Sequence, residues 1–563
     1  MTAYSFSQLI DFTRTTSGTF VGSNGLIQTT PQSRNLLTWT QEFDNAAWIK
    51  SDATITANST TAPDGTATAD KLVEGATTNR KFIRQAATNG VVSVYAKKGE
   101  RDFVTIGSSN GVGLWAVSQF NLNTGTYVGS YQAGTQPLPT NNVITPVGNG
   151  WYRVSCLTAS SLLPAVIMVS NGGDPIFEGY TGNGTSGIFI WGAQLDASVL
   201  TDYTRNVGGL FPPRFDYDPV TLAPRGILIE EQRTNLLLWS EQFDNAAWTK
   251  QNNLTVTPNT TVAPDGATTA DTITNGTGQN SSGIYQTPTL TNAVVYTISY
   301  YVRAGTTSTA VLGAFAGSFL SATARVISGP GSVSGTAIIT LSGLSSTEWT
   351  RVSYTITGTG VVTSPYLYPE TIGVATGKSV IVWGAQLEAG AFATSYIQTL
   401  GNPGGVTRAP DQASIVAPMF APWYNESAGT LVFEGTSLTT SGFTWPAIAS
   451  SGSAANAFGT YRSAAFVAGF IATSGTTQME ITSSPVVANV PYKLGIAAQA
   501  NNGNFSFNGN IGTNDPAITM PVVNRLSMGA NSAGNAEFLN GHIRRITYYP
   551  VRLSDLQLQA LTA

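Results

Sequence analysis

Close pairs of carboxylates are the one catalytic apparatus this composition leaves open, because glycoside hydrolysis needs only two Asp or Glu side chains about 5–9.5 Å apart. Two pairs are close in the chain, Asp216 with Asp218 and Glu230 with Glu231. Neighbours on a strand point to opposite faces, so Glu230 and Glu231 do not form one dyad. Asp216 and Asp218 share a face, but beside Pro219 they fit a turn better. The single histidine, His542, rules out a His-rich metal site and would have to carry any Ser-His-Asp triad alone. It opens an alternating stretch beside Arg544 and Arg545, which fits a structural or solvent-facing residue. Cys156 has no second cysteine to pair with and reads as a small buried strand residue. No phosphate-cradling loop is present, and Asp411 and Asp515 lack the spacing of a calcium loop. The expectation is a protein that is not an enzyme and uses no cofactor or metal.

Aromatic residues offer a different chemistry. A sugar presents an apolar C–H face and outward hydroxyls, so its site needs an exposed ring flanked by amides or carboxylates. Eight of the eleven tryptophans fall in matched pairs, Trp39/Trp239, Trp48/Trp248, Trp151/Trp349 and Trp191/Trp383. Matched placement fits packing, each ring burying on the order of 200 Å². Trp115, Trp423 and Trp445 are unpaired. Trp445 and Tyr461 lie among Ser, Asn and Gly, and Asn501, Asn502, Asn504, Asn514 and Asp515 would supply donors and acceptors. These seven residues are the candidate ligand-binding set. Trp445 and Tyr461 should then be more exposed than the paired tryptophans.

The pairs exist because the chain repeats itself. Phe43 to Trp48 recurs letter for letter at Phe243 to Trp248, and Ala62 to Gly65 recurs as Ala263 to Gly266. Trp191 to Leu195 recurs as Trp383 to Leu387, so the offset drifts from 200 to 192 residues. A period of that size is one domain rather than a solenoid unit. Within each copy Val91–Lys97 and Tyr296–Arg303, Tyr152–Leu157 and Val352–Ile356, and Gly187–Trp191 and Ser379–Trp383 are β-branched and aromatic. Turns about every ten residues favour a two-sheet sandwich. Gln41–Trp48 is the one hint of helix. Asn24-Gly25 predicts a two-residue hairpin turn, in a leading element laid against the first repeat.

The boundaries follow: a leading hairpin and attachment segment over 1–33, a first sandwich over 34–205, a β-hairpin connector over 206–232, a second sandwich over 233–400 and a linker over 401–410. Residues 411–563 form a different sandwich, with strands at Gly429–Glu434, Tyr492–Ala498 and His542–Tyr549 and an Asn508-Gly509 turn. Ser554 and Gln557 are spaced as a capping box for a short last helix.

Charged residues are 10% of the chain, against roughly 25% in an ordinary soluble protein. A net charge of −4 makes nucleic acid an unsuitable partner. No run of the ~20 apolar residues needed to cross a membrane as a helix occurs. Met1 to Phe12 lacks a basic start and an apolar run, so synthesis in a host cytoplasm without a signal peptide is expected. A hydroxyl- and amide-rich surface suits work outside a cell, and lysis as part of a virus particle is one route there.

Arg233 to Leu237, Ser240 to Trp248, Pro264 to Gly266 and Trp383 to Glu388 resemble modules of bacteriophage tail-fibre and minor structural proteins, which are similar to carbohydrate-binding jelly rolls. Phe215 to Gly226 looks like their usual lead-in. Ile543–Tyr549 and Arg552 to Leu556 resemble the end of a concanavalin/laminin-G-like domain. The resemblance implies an all-β chain of two tandem homologous jelly-roll β-sandwiches followed by a concanavalin/laminin-G-like β-sandwich. It implies a virion-surface protein, homotrimeric, contacting other virion proteins and a host-surface glycan or receptor. The alternatives are a head fibre or capsid decoration without sugar binding, and a polysaccharide depolymerase.

Overall fold

The computed structural model describes residues 9–563 apart from 33–34, 87–88, 159–164, 177–178, 210, 316–322, 337, 359, 361–363, 371–372, 418 and 441. Met1 to Gln8 and Arg34 lie outside the described residues. Strands make up 48% of the chain and helix 2%, with a C-terminal helix at Asp555–Thr562.

Two compact units divide it. One is built on Gln32–Pro212; the other takes Thr16–Pro31, Pro213–Ser414 and Trp423–Ala563. The first repeat therefore interrupts a unit that starts before it and resumes after it, with Pro31 and Pro213 at the crossings.

In the first repeat two six-stranded antiparallel sheets enclose a core. Gly187–Asp196 pairs on one side with Gly90–Lys98 and on the other with Ala69–Glu74. Phe103–Ser109 lies between Trp115–Asn121 and Ala165–Ser170 in the other sheet. Strand alternation sends Val92, Val94, Val154, Ile188 and Ile190 inward to meet Ile83, Val104, Ile106 and Ile167. Cys156 sits in this core, its thiol pushed up to about 12 by burial.

The second repeat uses the same frame: Ser379–Ala389 pairs with Val295–Ala304 and Ala270–Thr274. The middle third is threaded differently. In the first copy Phe103–Ser109 is followed in sequence and in space by Trp115–Asn121 and Thr126–Ala133, and Thr140–Gly148 then edges the opposite sheet. In the second, Thr323–Ser328 takes that edge first, and Ser332–Ser334 and Ile339–Ser342 return to the sheet of Ala310–Phe315. The matched motifs lie outside this stretch, so they do not report its path.

The C-terminal sandwich packs Arg525–Met528, Thr444–Ser450, Ala457–Arg462, Val467–Thr473 and Thr476–Ser483 against a seven-stranded sheet. That second sheet contains Gly541–Tyr549, Ala428–Ser437, Tyr492–Gln499 and Asn502–Phe507. Gly469 belongs to the inner face, where a Cβ would come within 2.8 Å of Phe505. The last helix lies on the far side of the second sheet, with Leu558 over Gly495 and the Ser554/Gln557 capping box in place.

Five sequence expectations are corrected. The element at 206–232 holds the expected β-hairpin, Arg214–Tyr217 with Pro224–Ile229, but is more than a connector: its strands edge the C-terminal sandwich, because Ile227 to Ile229 pair with Ile543 to Gly541. Residues 401–410 are not a linker, since Val406–Arg408 pairs with Arg233–Asn235 and Arg408 is buried. The leading hairpin, Thr19–Val21 with Ile27–Thr29, lies on the second repeat, where Ile27 packs beside Trp383 and its N–H donates to Pro264 O at 2.9 Å. Its loop spans five residues, 22–26, with Gly25 at φ 78°. Gln41–Trp48 is a chain of turns, Glu42 to Trp39, Asn45 to Glu42 and Trp48 to Asn45, rather than helix.

Candidate functional site

The acidic residues weighed for catalysis are committed to partners. Asp218 accepts Val220 N and Thr221 N and pairs with Arg225 at 2.7 Å. Partial burial raises its carboxyl, but those hydrogen bonds outweigh it and bring it down to about 2. Glu230 is fully buried; Arg408 lies at 2.5 Å, Arg214 at 2.8 Å, and Ser395 donates both N–H and O–H at 2.7 Å. Burial alone would raise its carboxyl, yet Arg408 and Arg214 hold it far below the usual carboxylate range. Asp411 completes the cluster on Arg214, and Glu231 pairs with Arg233. Asp216 accepts Val21 N and meets His542 Nε2, both at 2.7 Å. His542 Nδ1 reaches Thr436 Oγ1 at 3.1 Å. This line clamps the hairpin strand of Asp216 to the last strand of the sandwich. Among the described residues no group of three or more His, Cys, Asp or Glu gathers as a metal site, and no helix is long and apolar enough to cross a membrane.

The matched tryptophans form a framework present in both copies. Trp48 Nε1 donates to Trp39 O at 2.9 Å, and Trp248 Nε1 to Trp239 O at 3.0 Å. Trp39 and Trp239 hold left-handed φ values of 52° and 49°, unusual for a bulky residue. Trp191 and Trp383 donate to Thr68 and Thr269. Trp48, Trp151, Trp191, Trp248 and Trp383 are buried, whereas Trp39, Trp239 and Trp349 are half-buried. The matched Asp70 and Asp271, which motif reading passed over, also serve it. Asp70 accepts Phe43 N and Asn58 N, and Asp271 accepts Phe243 N and Asn259 N.

Burial pushes the Asp70 carboxyl from 3.8 up to about 7, against the pull of its two backbone donors. The folded state thus holds a proton that the unfolded chain has released, so this contribution is full below pH 3.8 and is lost as pH rises towards 7. The melting-temperature gap between the protein and its Asp70→Asn variant is expected to narrow from about pH 4 to about pH 7. A gap that widens over that range would show Asp70 to be ionised throughout.

The ligand-binding set divides. Trp445 and Tyr461 come together with ring centroids 5.3 Å apart on the outer face of the five strands from Arg525 to Ser483. Each is only 5% exposed, so the expectation that they stand clearer of protein than the paired tryptophans is corrected. The cause is three further rings that the sequence reading missed. Phe443 stacks on Tyr461 at 4.7 Å, while Phe466 and Phe470 approach it at 5.9 Å. Phe443 is the accessible ring, 40% exposed. Two exposed carboxylates flank the cluster: Trp445 Nε1 donates to Glu537 at 2.8 Å, and Tyr461 OH donates to Glu480. Burial and that carboxylate push the Tyr461 phenol well above its usual range. Glu537 holds φ 53°, so a loop in a costly backbone conformation presents its side chain.

The asparagines lie elsewhere. Asn504 alternates with Phe505, which faces the core, so it points to the far side of the other sheet. There it is buried and donates to Asp555 at 3.0 Å. Asn514 accepts from Arg552 at 3.3 Å, Asn501 lies in the turn between two strands, Asn502 opens the second of them opposite Gln499, and Asp515 bridges to Gly503. The sandwich core separates Asn504 from Trp445, and among the described residues none of the five hydrogen-bonds to Trp445 or Tyr461.

Solved structures similar to this chain include carbohydrate-binding modules, a laminin G region and a Trypanosoma rangeli sialidase. The CBM40 module of a Ruminococcus gnavus sialidase, bound to alpha2,3 sialyllactose, is 18% identical and covers 26% of this chain and 89% of its own, with a TM-score of 0.24. The CBM22 tandem of Paenibacillus barcinonensis Xyn10C is 11% identical and covers 64% and 99%, with a TM-score of 0.22. The LG1-3 region of the laminin alpha2 chain is 10% identical and covers 85% and 96%, with a TM-score of 0.18. At these scores the likenesses carry no argument about function. No protein-family profile matches the chain, and no curated protein does.

Proposed function

We propose that this protein is a non-enzymatic, glycan-holding surface protein of a bacteriophage particle, of the tail-fibre or receptor-binding type. The observation that carries the glycan reading is the outer face of the C-terminal sandwich, where Phe443 offers a ring and Glu480 and Glu537 offer acceptors beside it. A pyranose stacks its C–H face on such a ring, and each carboxylate retains lone pairs for the sugar hydroxyls after taking one indole or phenol proton. The non-enzymatic part is supported by the commitment of Asp218, Glu230 and Glu231 to arginine partners and of Asp216 to His542. The motifs of the two repeats support a place on a virion among other structural proteins, as a homotrimer.

Purified protein on an array of bacterial surface glycans is expected to bind, and Phe443→Ala to weaken that binding about ten-fold or more, some 1.4 kcal/mol. Phe443 is exposed enough for the variant to keep its fold. Retention of full affinity by Phe443→Ala would move the site off this face. Peptides of the chain in purified particles, and light scattering at three times the monomer mass, are the outcomes expected for the virion and trimer readings.

A further inference from the structure

We infer that this aromatic face selects by charge, taking amino-bearing sugars in preference to their N-acetylated counterparts and turning away uronate and sialate sugars. The inference rests on the glycan reading of the same face. Its ground is the pair of carboxylates. Glu480 and Glu537 are both exposed, and each is fixed against a ring by a proton from Tyr461 or Trp445. Neither has a Lys or Arg within ion-pair distance among the described residues. Those two rings lie 5.3 Å apart, with Phe443 and Phe470 packed against both.

Two anions beside aromatic faces are matched by a ligand cation. An ammonium is drawn to the negative face of a ring and donates to the carboxylate acceptors, so both attractions act on one group. A sugar carboxylate would meet two like charges and bring no donor, and like-charge juxtaposition is how a surface rejects a wrong partner.

The test is calorimetry on the full chain near pH 6, where a sugar amine carries its proton, using three oligosaccharides of equal length. These are a glucosamine oligomer, the corresponding N-acetylglucosamine oligomer and a galacturonate oligomer. The glucosamine oligomer is expected to bind about ten-fold or more tighter than the N-acetylated one, with the uronate weakest. That preference is expected to collapse in the Glu480→Gln/Glu537→Gln variant and to shrink in about 0.5 M salt, since exposed charges are screened. Both carboxylates are on the surface, and an unchanged melting temperature certifies the variant. A preference that survives the double substitution, or a uronate bound as tightly as the amine, overturns the charge selection while leaving glycan binding in place. If none of the three binds and no glycan does, the glycan reading falls and the inference with it.

Discussion

Substituting Glu230→Gln is expected to destabilise the unit built on Pro213–Ser414 and Trp423–Ala563 by about 3–5 kcal/mol, the cost of breaking a buried pair by removing one partner's charge. Glu230 holds Arg408 at 2.5 Å, and it shares Arg214 with Asp411. With glutamine in place two fully buried guanidinium groups face one carboxylate, and the desolvation already spent on both cations goes uncompensated. For a unit of this size, at roughly 2.1 cal/mol/K of unfolding entropy per residue, the melting transition should fall by roughly 4–7 °C. The pH dependence has a definite sign. Because the folded-state pKa is depressed, the stabilisation is present above the ordinary value of 4.5 and is lost as pH falls below it. The gap between protein and variant should therefore close in acid, opposite to the behaviour at Asp70. A variant that melts within about 1 kcal/mol of the protein at neutral pH would show that the cluster is not buried as described.

Trp48→Ala and Trp248→Ala are each expected to cost about 3–5 kcal/mol, the range for emptying a fully buried aromatic site. Both rings are 1% exposed, contact the matched phenylalanine at 5.1 and 4.7 Å, and donate to the carbonyl of the matched left-handed tryptophan. Truncation leaves that carbonyl without its indole donor as well as opening a void, which places the effect towards the upper end. Calorimetric scans should show Trp48→Ala lowering the transition of the unit built on Gln32–Pro212 and Trp248→Ala lowering the other. A large loss at one position and none at its counterpart would contradict a shared framework.

Much of this fold was legible where short-range rules govern. The strands from Gly90 to Lys98 and from Val295 to Ala304, the Asn508-Gly509 turn and the Ser554/Gln557 cap follow from period-two alternation, left-handed turn residues and capping chemistry. Matched motifs likewise marked the tryptophan framework, because equal spacing in two copies is visible without coordinates. The candidate site was only half legible. Trp445 and Tyr461 could be named because Trp445 has no counterpart in the repeats and both lie among Ser, Asn and Gly, but Phe443, Phe466, Phe470, Glu480 and Glu537 carry no comparable signal. They join the face through cross-strand register and a returning loop.

By itself the sequence determined the β class, the duplication, the capped last helix and the turn role of Asp218, since each is written within a few residues or in the comparison of one copy with the other. Tertiary structure alone decided that residues 214–229 add strands to a sheet closed by residues 541–549, and that the two repeats thread their middle strands differently. It also decided that a supposed linker buries Arg408 beside Glu230 and that Asn504 stands across the core from Trp445. The physical reason is common to all four. Strand pairing and the sign of a buried charge's environment depend on groups hundreds of residues away, and a strand's own residues encode which faces are apolar without encoding which partner covers them.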